Sequence, residues 1–273
     1  MAPLVPRVEP FPATPGLDDA PADLFETGHI WLQEFVVGAP LRFRVTDAGL
    51  AFGDERREFE QWAEPAGYRF AVREVREQFD EDAFRSAVEV PDAYTFFGVA
   101  TRHEGLDYDW ARLPGFLGVD LHAPDKGFRP PDVAEQAFER LGLAPVNAIA
   151  KELATRDFRP DRYAFPSSEW YDGPVAGVLV RNKRGGRAVI ENAAVEPTKP
   201  ETLAPETLVE QYLTEGRIDR IATDLGDSAS VDTVLDRLVD ELVREHYASL
   251  GDSVDAGAVR SAAAESVARR LGQ

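Results

Sequence analysis

Any chemistry in this chain has to be done without a thiol. Its 273 residues include no cysteine, which excludes thiolate nucleophiles, thiolate metal sites and disulfides. Amines are nearly as scarce, because Lys126, Lys151, Lys183 and Lys199 are the only lysines and none precedes residue 126. Arginine carries almost all of the positive charge, and a guanidinium that stays protonated holds anions but makes no bond as a nucleophile. His29, His103, His122 and His246 are scattered without metal-ligand spacing, so structural or surface roles are their default. There is no Gly-x-x-x-x-Gly-Lys run; Tyr171-Asp172-Gly173 and Arg184-Gly185-Gly186 have turn composition, and Ser167-Ser168 lacks the setting of a nucleophile elbow. What remains is a set of polar residues at the ends of apolar runs. Glu34 stands between an apolar run and Gly38, and Asp120 follows Phe116 to Val119, where an acid is either a turn cap or a site group. Arg42, Arg56, Arg181, Lys183 and Arg187 are candidates to contact an anion, against the ordinary alternative of solvated charge.

These residues depend on the elements that carry them. Residues 1–24 hold Pro3, Pro6, Pro10, Pro12, Pro15 and Pro21, a density that forbids a regular element and predicts an extended arm, wrapped or loose. Ile30-Trp31-Leu32 with Phe35-Val36-Val37, then Leu41 to Val45, predict two strands forming a hairpin around Gly38-Ala39-Pro40. Tyr68, Val72, Val75 and Phe79 recur at helical spacing. Tyr94 to Ala100 and Phe116 to Leu121 are short, nearly continuous apolar runs, as expected of strands covered on both faces. Pro130-Pro131 before Val133, Ala137, Phe138 and Leu141, with Gly142 after, marks a helix from start to stop. Val175 to Arg181 and Arg187 to Glu191 read as strands joined by a tight turn. After Pro197 and Pro200 the pattern is helical to Leu271, with a domain boundary at residues 196–204.

The formal charge of −19, with few lysines, is that of a surface which stays hydrated where counterions are dense, and it predicts a halophilic cytoplasm. The plainer alternative is an acidic protein of ordinary surroundings. No run of about 18 apolar residues occurs, and the N-terminus lacks the flanks of a signal peptide, so the expectation is a cytoplasmic protein with no membrane partner.

Several short signatures, taken together, resemble the ATP-dependent RNA ligase family of covalent nucleotidyltransferases over residues 26–271. Trp31-Leu32-Gln33-Glu34-Phe35-Val36-Val37-Gly38 resembles the family's nucleophile segment, Glu-Lys-x-x-Gly, with Phe35 where the lysine belongs. Phe52-Gly53-Asp54-Glu55-Arg56-Arg57 resembles a segment whose arginine contacts phosphate, and Arg56 is the match. Phe96-Phe97-Gly98-Val99 resembles one that ends in a ribose-binding glutamate, replaced here by Val99. Phe116 to Asp120 resembles the next, keeping Asp120 but with Val119 for its aromatic neighbour. Val175 to Asn182 resembles the metal-binding segment, with Ala176 for its glutamate, and Arg187-Ala188-Val189-Ile190 stands where the family has a strand with two lysines. Tyr212 to Ile218 and the helices after it resemble the family's C-terminal domain.

The resemblance implies an α+β fold: an arm at 1–24, a nucleotidyltransferase domain at 25–196 with the mixed or antiparallel sheet of the ATP-grasp-like RNA and DNA ligases, and a small all-α domain at 204–273. It implies ATP and Mg as cofactors, RNA or a nucleotide as partner, and a pocket drawn from Glu34, Gly38, Arg42, Arg56, Phe97, Asp120, Arg181, Lys183 and Arg187. Covalent transfer needs an amine of lowered pKa, a divalent cation and positive groups around the phosphate. Phe35 has no lone pair to offer, and Val99 and Ala176 remove a ribose contact and a metal ligand, leaving no metal site in the expectation. Apolar residues at three such positions predict a smaller, drier pocket. The expected protein is a degenerate ligase that binds a nucleotide, an RNA end or a protein partner without forming a lysyl-adenylate. An active ligase using Lys183 as a displaced nucleophile is one alternative. A protein-binding module working through its helical C-terminal domain is another, favoured by the acidic surface because phosphate contacts need clustered positive charge. A third makes Phe35, Val99 and Ala176 core residues of an unrelated α+β fold. Nucleic-acid binding requires Arg42, Arg56, Arg181 and Arg187 to converge on one groove.

Overall fold

The computed structural model describes residues 9–251 and 254–272. Among them the strands are β1 (His29–Glu34), β2 (Ala39–Thr46), β3 (Gly49–Gly53), β4 (Thr95–Ala100), β5 (Phe116–Ala123), β6 (Gly127–Phe128), β7 (Ala148–Ala154), β8 (Gly177–Asn182) and β9 (Arg187–Glu191). The α-helices are α1 (Ala66–Gln78), α2 (Glu81–Ala87), α3 (Pro131–Arg140), α4 (Pro205–Tyr212), α5 (Glu215–Leu225), α6 (Val231–Glu245) and α7 (Ala256–Arg270). None is long and apolar enough to cross a membrane.

The strands form two antiparallel sheets, one of four in the order β7-β1-β8-β9 and one of five in the order β3-β2-β4-β5-β6. The hairpin expected between the first two strands does not form, because β1 and β2 belong to different sheets. β1 is buried along all but its first residue and takes neighbours on both edges, so it cannot end its sheet as one arm of a hairpin. The link carries the chain across to β4 instead. Gly38 makes this possible, since a Cβ there would stand 2.7 Å from the Ala100 carbonyl oxygen. The true hairpin of this region is β2 with β3, and the strand pair β8 and β9 forms as the sequence predicts.

Residues alternate faces along each strand, so each sheet presents two different surfaces. One face of the five-stranded sheet is aromatic: Phe43 stacks on Phe96 at 4.7 Å, and Phe79, Phe84, Phe116 and Phe138 pack edge-on around them. Phe79 follows α1, Phe84 comes from α2 and Phe138 from α3, so the helices cover this face. One face of the four-stranded sheet packs Ile30, Leu32, Val178, Val180 and Ala188 against Leu24, Phe158 and Val175.

The chain divides into two compact units. The first joins the chain before Pro65 to Ala71–Thr101 and Asp107–Glu196 and contains both sheets. The second joins Pro197–Gln273 to two short earlier segments, Pro65–Phe70 and Arg102–Leu106. Its core is the apolar stripe of its helices, including Leu208, Ile218, Ile221, Leu238, Leu242, Val259 and Val267. Side chains cap its helices: Thr214 accepts from the Arg217 N–H, Ser230 and Thr233 form a capping box, and Asp255 accepts from the Ala258 N–H.

Gly98 shows how tightly the aromatic face is packed. A Cβ there would stand 2.3 Å from the Leu117 carbonyl oxygen and 2.5 Å from the Phe116 ring, and the backbone atom cannot swing away. Gly98→Ala is expected to lower unfolding free energy by about 1–3 kcal/mol in urea denaturation, through overpacking rather than lost burial.

Candidate functional site

The two remaining sheet faces carry polar residues. In the four-stranded sheet, register places Trp31, Arg181 and Arg187 side by side across β1, β8 and β9. In the five-stranded sheet it places Arg42, Phe97 and Asp120 in one row across β2, β4 and β5. The rows meet at Asp120. Arg187 donates to both carboxylate oxygens, at 2.7 and 3.1 Å, and Arg181 donates to one of them. Arg181 also donates to Gln33 at 3.2 Å and to the Val119 carbonyl at 2.8 Å. That carbonyl is free because the β4–β5 ladder shifts register between Phe97 and Gly98, leaving Val119 as an extra residue. All three charged groups are buried, leaving one net positive charge in the interior. Burial pulls the Arg181 guanidinium below its ordinary value; Asp120 pushes it back up and Arg187 pulls it down.

A cavity of about 480 Å³ opens beside this clamp. Phe35, Phe97, Val99, Val119, Val146 and Leu179 give it apolar walls, and Glu34, Asp120 and Arg187 bring charge to it. Its size falls within the range of about 300–1,000 Å³ usual for small-molecule pockets. Phe35 and Val99 both stand on its wall, and the space beside them is open.

Phe35 follows β1 and packs its Cβ at 3.4 Å from where a Cβ on Gly177 would lie, with 38% of its surface still exposed. Its N–H donates to the Gly177 carbonyl at 3.0 Å, and Val37 N–H donates to the Tyr108 hydroxyl at 2.9 Å, fixing the backbone on both sides of the turn. Burial raises the Tyr108 pKa, so this hydroxyl stays neutral. Glu34 is buried with both oxygens engaged: Ser168 donates to one at 2.5 Å, and Asn147 and the Glu169 N–H donate to the other at 3.2 Å.

The residues singled out from sequence divide clearly. Glu34, Phe35, Gly38, Phe97, Val99, Asp120 and Arg187 line the cavity. Arg181 lies behind it as the second arm of the clamp, and Arg42 is buried on the same row as Phe97, donating to the Glu9 carbonyl at 2.9 Å. Ala176 is one residue from Gly177 and off the lining. Arg56 is exposed in a loop where Asp54 caps its own N–H, so it does not join the other arginines. Lys183 lies in the β8–β9 turn, 2.7 Å from Glu152 and 2.9 Å from Asp132. Those two bonds raise its pKa, the reverse of what a nucleophilic amine needs.

Gln33, Asn147, Ser168, Glu55 and residues 11–14 of the arm also belong to the site or its support. Period-2 alternation along β1 places Gln33 on the Trp31 face, a signal within reach of the sequence. The others come from loops distant in the chain, where no periodicity points inward.

The donor set does not suit a divalent cation. Among the described residues no group of three or more His, Asp and Glu side chains gathers as ligands. The lone pairs of Glu34 are taken by donors and those of Asp120 by two guanidinium groups. An apolar-walled cavity with an arginine at its edge does fit a nucleotide.

No protein-family model matches the chain, and no curated protein matches it in sequence. Solved structures match it in fold. An archaeal ATP-dependent RNA ligase superposes with a TM-score of 0.50 at 13% identity, over 97% of this chain and 62% of that one. A mutant of Naegleria gruberi RNA ligase with ATP and Mn gives 0.54 at 12% identity, over 68% of this chain and 57% of that one. The same ligase with PPi gives 0.51 at 14% identity, over 67% and 55%. The chain thus has the α+β nucleotidyltransferase fold of RNA ligases and spans less than two thirds of the length of these structures.

The clamp is asymmetric in its tolerance. Asp120→Ala leaves two buried guanidinium groups facing each other and is expected to cost about 3–5 kcal/mol. Arg187→Met leaves a neutral Arg181–Asp120 pair and is expected to cost about 1–2 kcal/mol. Denaturant titration of both variants at one salt concentration checks the order.

Proposed function

We propose that this chain binds a nucleotide, free or as the end of an RNA, and does not form a covalent lysyl-nucleotide with it. The observation that carries this reading is Phe35 on the wall of a cavity that also holds Asp120 and Arg187, with none of the four lysines on its lining. The walls suit a base and sugar, and Arg187 offers donors to a phosphate. Structures of the same fold with ATP and Mn or with PPi support the choice of ligand class. ATP is therefore the first ligand to test. Mg or Mn, where the ligand carries one, would come with the phosphates rather than be held by this donor set.

The chain's residues have specific parts in such binding. The clamp fixes Arg187, which lines the cavity, so its guanidinium would need little further ordering to meet a ligand. Glu34, tied down by Ser168, Asn147 and the Glu169 N–H, keeps the end of β1 in place and thereby sets where Phe35 stands. Lys183 as a displaced nucleophile finds no support, given its two carboxylate partners and its raised pKa.

The acidic, lysine-poor composition fits a salt-rich cytoplasm, so the test belongs in molar KCl. With α-labelled ATP and Mg or Mn, the wild type should retain nucleotide in equilibrium dialysis and carry no label after denaturation. A denaturation-stable adduct, or no retained nucleotide, overturns the reading. Phe35→Lys run alongside reports whether that position reaches the α-phosphorus, since label confined to this variant places the new amine within bonding distance.

A further inference from the structure

We propose that residues 9–16 form a strap over the nucleotide cavity, filling its aromatic end and lifting away when a ligand enters. This deepens the function proposed above and rests on the cavity being a nucleotide site. The strap is fastened at both ends. At one, Arg42 donates to the Glu9 carbonyl at 2.9 Å and the Glu9 carboxylate lies 3.7 Å from His122. At the other, Val189 N–H donates to the Pro15 carbonyl at 2.9 Å, and Gly16 bridges in parallel to Val189 on the outer edge of the four-stranded sheet. Between these points Phe11, Pro12, Ala13 and Thr14 line the cavity.

Phe11 takes the surface that a planar base would use. Its ring meets Phe97 edge-on with centroids 5.0 Å apart, and a ring inserted between them would need about 7 Å. The strap also occupies a cation. Arg42 is 7% exposed, spends one donor on the Glu9 carbonyl and leaves its buried Nε without a partner. Lifting the strap would uncover both an aromatic face and a guanidinium in the row that leads to Asp120, the pairing of groups that a base with a phosphate recognises. The fastening is light enough to undo: the Arg42 side chain on the Glu9 carbonyl, the Glu9–His122 pair, the Val189 N–H on the Pro15 carbonyl, one half-buried ring and an exposed stretch at Ala13 and Thr14. Proline at 10, 12 and 15 limits the freedom gained on release, so the strap can seat again without a large entropic cost.

A site covered part of the time binds with an affinity reduced by the uncovered fraction. In the full chain, Phe11→Ala should bind ATP about tenfold more tightly than the wild type in equilibrium dialysis at molar KCl. In the wild type, saturating ATP should speed amide exchange at Val189, whose N–H is held by the strap; this readout needs no variant. Equal or weaker binding by Phe11→Ala, or unchanged Val189 exchange with ATP bound, overturns the strap and leaves the nucleotide site standing. ATP retained by neither protein removes the nucleotide site and the strap with it.

Discussion

Asp120 is the point on which the β-sheet unit turns. One carboxylate from the five-stranded sheet receives two arginines from the four-stranded sheet, and all three are out of reach of solvent. Buried ions are costly unless their donors and acceptors are satisfied, and here geometry satisfies them: Arg181 also spends donors on Gln33 and on a carbonyl freed by the Val119 irregularity. The clamp joins the two sheets through polar atoms. A cavity opens beside it, with Asp120 and Arg187 on the lining.

The same arrangement limits what the cavity can do. Its two buried carboxylates are fully engaged, the cation on its lining is the Arg187 guanidinium and the turn after β1 presents a ring. On the function proposed above, such a lining would recognise shape and negative charge.

Much of the scaffold was legible from periodicity. The apolar runs at 95–100 and 116–121 became the paired strands β4 and β5, and Tyr68, Val72, Val75 and Phe79 marked the buried side of α1 and its end. Pairing was less legible. Two neighbouring apolar runs separated by Gly-Ala-Pro looked like a hairpin, yet the glycine serves a close crossing between sheets, a need that only tertiary packing creates. β7 gives little signal in the sequence, because Ala148 to Ala154 is rich in alanine and carries Lys151 and Glu152, with few of the residues strands prefer. At the site, Phe35, Val99 and Asp120 stand out because they lie within short signatures on strands or, for Phe35, just after one. Phe11 does not, since a ring among prolines gives no sign of which surface it will meet.

The extra residue at Val119 makes the spacing of β5 as consequential as its composition. Opposite Phe97 and Gly98 the ladder counts three residues on β5, Gly118 to Asp120, and this odd step brings the acid to the polar side while Phe116 stays among the aromatic rings. Substitution at 119 leaves that arithmetic intact, since the chain offers Arg181 a carbonyl whatever the side chain. Removing the position would restore an even ladder and turn the carboxylate toward the phenylalanines, parting it from both guanidinium groups. Descendants of this sequence can therefore vary in spelling at this point of the strand, but not in length.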